Sequence, residues 1–148
     1  MIRYPTLVII LFLTVAKIDF AQHETPNIIN PDTLQWFSPL SDSQFSATWV
    51  IGNEKEAEPY ILQVKIKANG IIPPHSHPDV RYTTVLFGTL YIGFDKSIDD
   101  SNMVAVSRGE VYCVPSNVTH YLKARNNDVT YQEFGFGPTA TTATAVFK

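Results

Sequence analysis

The chain has 148 residues, room for one domain and little more. Eleven Lys and Arg against 14 Asp and Glu leave a net charge of −3, which argues against a nucleic-acid partner, because such proteins present a basic excess or stripe. Hydrophobic residues at 45% and charged ones at 17% allow a real core, and the single cysteine, Cys113, excludes an intramolecular disulfide and a cysteine-rich zinc module.

In chain order, the first segment reads as a targeting signal. Arg3 precedes the apolar run Thr6 to Ala16 (TLVIILFLTVA), which has the length of a signal-peptide core and falls short of the roughly 20 apolar residues of a membrane span. Phe20-Ala21-Gln22 offers cleavage after Ala21, although Asp19 is a poor residue three positions before the cut. The expectation is a signal peptide over residues 1–21 and a periplasmic or secreted protein, with an uncleaved anchor as the competing reading. Residues 22–43 read as an irregular arm whose Trp36 and Phe37 pack on the domain or on a second copy of it.

From residue 44 onward, periods of two dominate. In Tyr60 to Lys67 one face reads Tyr60, Leu62, Val64, Ile66 and the other ends in Gln63, Lys65, Lys67, the signature of a half-buried strand. Further strands are expected over Gln44 to Ile51, Tyr82 to Phe87, Thr89 to Phe94, Met103 to Ser107, Glu110 to Val114, Val118 to Arg125, Val129 to Phe136 and Ala143 to Phe147. Turn signals separate them, among them Gly52-Asn53, Asn69-Gly70, Pro73-Pro74, Arg108-Gly109 and Asn126-Asn127-Asp128. No segment past the signal sustains a 3.6 period. Eight or nine short strands at this spacing predict an all-β sandwich or barrel over residues 44–148.

Four histidines punctuate the chain, and His23 falls just past the expected cleavage point. His75 and His77 point to one face of an extended chain, about 6.6 Å apart, which lets both rings converge on one ion. His120 shares a strand face with Val118 and Leu122, where a lone histidine is more often a hydrogen-bonded core residue than a ligand. Spacing alone leaves that choice open.

The wider pattern carries a resemblance. Gly70-Ile71-Ile72-Pro73-Pro74-His75-Ser76-His77, running on to Gly88, resembles the first motif of the cupins, and Gly109, Pro115 and His120 resemble the second, with twenty residues between the motifs. His75 to Arg81 and Gly135-Phe136-Gly137-Pro138-Thr139 are similar to stretches of a group of small bacterial cupins. The resemblance implies a single jelly-roll barrel of antiparallel strands with a divalent metal held by His75, His77 and His120.

The departures are informative too. Seven residues before Gly88, where the family places a glutamate ligand, stands Arg81; a guanidinium stays protonated and offers no lone pair. An unpaired charge about 6 Å from a divalent ion would cost roughly 5 kcal/mol at an effective dielectric of 20. Arg81 is therefore expected to turn away from the ion and engage an acid, Asp79 or Glu133, or else the metal is weak or absent. The family's second-motif glycine is Asn117 here, a mild change because Asn tolerates left-handed turns.

Three neutral histidines would leave the full double charge on the ion, which suits Zn, or Fe, Mn or Ni with an anionic oxygen ligand. A fourth protein ligand could come from Asp79, Tyr82 or Gln132, and Arg81, with Tyr82 and Gln132 near it, would then contact a small anionic molecule as a bidentate clamp; an ion pair at the barrel rim is the plainer role. Cys113 reads as a buried structural thiol and the sequon Asn117-Val118-Thr119 as chance. Two functions stand side by side. One is an exported metal-dependent oxygenase, isomerase or lyase acting on a small anion. The other is a non-catalytic ligand-binding cupin without a tightly bound metal. The macromolecular partnership suggested is a homodimer through a barrel edge or the arm.

Overall fold

The structure, a computed structural model, describes residues 27–38 and 44–144. The expected signal peptide, His23 and the end of the last expected strand lie outside the described residues. Ten strands follow in order: β1 (Phe45–Ile51), β2 (Pro59–Ile66), β3 (Ile71–Ser76), β4 (Arg81–Phe87), β5 (Thr89–Gly93), β6 (Val104–Ser107), β7 (Val111–Val114), β8 (His120–Ala124), β9 (Val129–Phe136) and β10 (Thr142–Ala143). They pair antiparallel in two five-stranded sheets, β1-β2-β9-β4-β7 and β10-β3-β8-β5-β6. The fold is the expected all-β jelly roll, built as two facing sheets rather than one closed hydrogen-bonded ring. Among the described residues the only helical turns are two 3-10 turns, Pro31–Thr33 and Asp100–Asn102.

Alternation explains which sheet faces meet. On β2, Tyr60, Val64 and Ile66 are buried and Leu62 packs partly buried against the core. On β9, Val129, Tyr131 and Glu133 are buried while Phe134 and Phe136 face outward. From the second sheet, Leu90, Ile92, Leu122 and Ala124 meet Val64, Ile66, Val129 and Tyr131 in one cluster. Each fully buried Leu, Ile or Val contributes about 1.5–3 kcal/mol relative to leaving it in water. The β4–β5 turn uses Gly88 at φ +78°, where an added Cβ would lie 2.5 Å from the carbonyl oxygen of Asp128; the closing glycine of the first motif is thus a steric requirement.

One strand escaped the sequence pattern. Pro73-Pro74 reads as a turn, yet both residues lie inside β3, between β10 and β8. Proline has no N–H to give a ladder, and the structure accommodates the pair with a register shift toward β8 between Ile72 and His75.

The described part of the arm, residues 27–38, lies along β1. Phe37 and Ala47 exchange backbone hydrogen bonds of 2.9 and 2.8 Å, Thr48 Oγ1 donates to the Gln35 carbonyl at 3.0 Å, and Lys65 Nζ sits 4.0 Å above the Trp36 ring. These contacts blunt an otherwise open sheet edge.

Candidate metal centre

His75 and His120 are directly paired across β3 and β8, and His77 follows one residue past the end of β3. Ring centroids lie 4.3 Å apart for His75–His120, 4.9 Å for His75–His77 and 5.4 Å for His77–His120. All three rings are buried. The turn before β8 holds them in relation: Asn117 adopts φ +62° and its N–H donates to the His77 carbonyl at 2.6 Å. Asn thus takes the left-handed position where the resemblance expected Gly.

Each Nδ1 faces a backbone carbonyl: Pro73 at 2.7 Å from His75, Ala140 at 3.2 Å from His77, Val118 at 3.0 Å from His120. A carbonyl can only accept, so the proton of each neutral ring sits on Nδ1 and the Nε2 lone pair is free. Burial depresses the pKa of His75 to about 4 and of His77 to about 3, with the Arg81 charge adding to the effect on His77. Burial lowers His120 as well. Neutral rings at pH 7 are what a metal ligand requires. The ligating atoms of the three lie within 4.8 Å of one another, and His77 Nε2 is buried with no hydrogen-bond partner. A buried imidazole nitrogen without a partner is rare in a finished protein. The donor set therefore fits a divalent ion.

Beside the histidines, Arg81 is 3% exposed. Its Nη1 donates to Glu133 Oε2 at 3.0 Å, and its Nε lies 3.5 Å from Asp79 Oδ1. Burial works to lower the Arg81 pKa, but Glu133, Tyr60 and Asp79 together outweigh it and the guanidinium stays protonated. Asp79 is occupied on both oxygens, accepting from Tyr60 Oη at 2.6 Å on Oδ2 and from Thr139 Oγ1 on Oδ1. Burial works to raise its pKa, yet those bonds and the Arg81 charge hold it below the usual carboxylate range. Gly135 makes the arrangement sterically feasible: an added Cβ there would lie 2.2 Å from Tyr60 Oη and 2.7 Å from Asp79 Oδ2.

A cavity of about 460 Å³ opens over this cluster, with Phe45, Trp49, Leu62 and Ile72 on its apolar wall and His75, His77, Arg81 and Glu133 among its polar lining. The structure thus gathers His75, His77, His120, Arg81, Asp79 and Glu133. It does not bring Tyr82 or Gln132 to them. Tyr82 is half-exposed on the outer sheet face, paired with Cys113 and Phe134, and Gln132 accepts from Gln63 Nε2 at 3.3 Å and does not line the cavity. Strand alternation is the reason: the neighbours of inward Arg81 and Glu133 must point outward. Cys113 is exposed on that outer face, not buried as expected. Tyr60 and Thr139, which fix Asp79, were not identified from the sequence; the phrase Gly135 to Thr139 was the one available signal.

Comparison with known proteins places this geometry in context. Residues 59–148 match the profile of the family described as Cupin. Germin-like protein 5-1 of Oryza sativa subsp. japonica is 41% identical over 63 residues, covering 40% of this chain and 27% of that protein. The match therefore spans under a third of that relative's length. Among solved structures, the polyketide cyclase RemF from Streptomyces resistomycificus superposes with a TM-score of 0.68 at 12% identity, over 84% of this chain and 89% of that one. The DMSP lyase DddQ from Ruegeria pomeroyi gives 0.65 at 17% identity, over 79% and 64%. At such identities the likeness is one of fold.

Proposed function

The chain belongs to the cupin family, and from that premise we propose that it is an exported cupin whose His75, His77 and His120 hold a divalent ion beneath a cavity that receives a small anionic molecule. The observation that carries the reading is the set of three buried, neutral histidines, each with Nδ1 tied to a carbonyl and one with Nε2 left unpartnered. When bound, an ion such as Zn, Fe, Mn or Ni would supply Lewis acidity at a ligand oxygen. The protein's own part is distinct. Arg81 orients an anion, Glu133 and Asp79 hold Arg81 in place, and the apolar wall excludes water, which strengthens every charge interaction inside. The reaction class we favour is oxygenase, isomerase or lyase. The similarity in fold to proteins named a cyclase and a lyase is compatible with that class.

Elemental analysis of untagged protein tests the proposal. About one divalent ion per chain is expected in the wild type. His75→Ala, His77→Ala and His120→Ala should each lose it while circular dichroism keeps the β spectrum. Metal content unchanged in all three variants, or none taken up by the wild type, would refute it. A second reading, a ligand-binding cupin without tight metal, is favoured by the Arg81 charge beside His77, and the same analysis separates the two. Export rests on Arg3 and the apolar run Thr6 to Ala16, and an intact mass lacking residues 1–21 in protein from the native host is its test.

A further inference from the structure

Arg81 has one nitrogen to spare. Nη1 is committed to Glu133, Nε reaches Asp79 only at 3.5 Å, and Nη2 is buried with no partner at all. A buried guanidinium nitrogen left unpaired is costly, and only an acceptor can relieve it, since Arg carries five donors and no lone pair. Because Glu133 occupies a different nitrogen, an incoming acceptor need not break the existing pair.

Charge identifies that acceptor. The three histidines are neutral, Arg81 contributes one positive charge, and Glu133 and Asp79 contribute two negative ones. With a divalent ion on the histidines the cluster carries a formal charge of +1, which a single negative charge cancels. Polarity identifies the rest. Away from the cluster most of the lining is apolar, Phe45, Trp49, Leu62, Val64 and Ile72 among it, with Glu54, Lys55 and Thr141 as polar exceptions. Outside the cluster Glu54 and Lys55 cancel in formal charge, so no net charge there calls for a second carboxylate, and a sugar would leave hydroxyls against carbon, where burying them unpaired is costly.

Resting on the reading of this cavity as a small-molecule site, we propose that its ligand is a monocarboxylic acid with an apolar body, the carboxylate held by Arg81 and the body against Trp49, Phe45 and Leu62.

Calorimetric titration of the full mature chain, metal-free and zinc-loaded, with 3-phenylpropanoate, 3-phenylpropanamide, acetate and succinate tests this. We expect 3-phenylpropanoate to bind at least about tenfold more tightly than each of the other three. Arg81→Lys keeps a charge opposite Glu133 but loses the fork, and should weaken the acid about tenfold or more without changing the amide. Equal binding of acid and amide in the wild type overturns the role of Arg81. Acetate or succinate equal to or tighter than 3-phenylpropanoate overturns the apolar body. The wild-type comparison decides the matter even if Arg81→Lys does not fold. Metal content measured on the same samples separates the two proposals: loss of acid selectivity in zinc-loaded protein sinks this inference alone, and acid selectivity in a protein that takes up no metal sinks the metal reading, the unpaired Arg81 Nη2 then accounting for the acid by itself.

Discussion

Replacing Glu133 with Gln removes the counter-charge of Arg81 while keeping nearly the same shape. The two groups are 3.0 Å apart, with side-chain exposures of 4% and 5%, so solvent does little to screen them. For charge centres about 4 Å apart at an effective dielectric of 20, the attraction is about 4 kcal/mol. The amide oxygen of Gln can still accept from Nη1, and Asp79 remains at 3.5 Å from Nε, so part of that is recovered. A net loss of about 2–4 kcal/mol follows, in line with removal of one partner from a buried pair. Against a stability of about 5–15 kcal/mol the variant stays folded, with Tm down by roughly 10 °C. Urea denaturation of metal-free protein at pH 7, with slopes compared to confirm two-state behaviour, measures it. The double replacement Arg81→Met with Glu133→Leu should recover part of the loss, because the closest buried pair goes together and the charge left on Asp79 keeps its hydrogen bonds from Tyr60 and Thr139. A Glu133→Gln variant within 1 kcal/mol of wild type would refute the reasoning and show that Asp79 alone matches Arg81.

Two further outcomes follow from the same geometry. Gly135→Ala forces apart Tyr60 and Asp79, since its Cβ would lie 2.2 Å from Tyr60 Oη; a loss of about 2–4 kcal/mol in a thermal melt is expected, and an unchanged Tm would contradict the contact. In metal-free protein His75 and His77 have native pKa values of about 4 and about 3, below the ordinary 6.5, so the unfolded chain binds protons that the native one refuses as pH falls. Stability should then hold above about pH 6.5 and decline toward pH 4 by on the order of 3 kcal/mol for His75 alone; urea midpoints that stay flat between pH 7 and 5 would refute it.

The sequence was most legible where burial alternates. Tyr60 to Ile66 and Val129 to Phe136 form strands close to the bounds their period of two implies. It was least legible where a rule about isolated residues met a tertiary accommodation, as in β3, whose two prolines sit at a register shift. Arg81 was identified by its departure from a motif and engages both acids proposed for it, but it stays beside His75 and His77 on the same cavity rather than turning away from them. Tyr82 and Gln132 failed for a local reason: adjacent strand residues cannot share a face, and the phase of β4 was hidden because Thr83 and Thr84 give no apolar contrast. The bonds of Asp79 with Tyr60 and Thr139 join residues 19 and 60 positions apart, a pairing that no local pattern announces.

Two of the three imidazoles are aimed by the carbonyl two residues earlier on the same stretch of chain, Pro73 for His75 and Val118 for His120. Such a hinge pin travels with its own tripeptide, so the surrounding wall can be rebuilt by mutation without unsettling either ring. A lineage could exchange Trp49, Leu62 or Ile72 and change what the chamber admits while its floor stays constant. His77 is different, steadied by Ala140 from the far end of the chain. Drift in residues 139–141 would reach the floor directly, which makes that short segment the place where a change of specificity and a loss of the centre are hardest to separate.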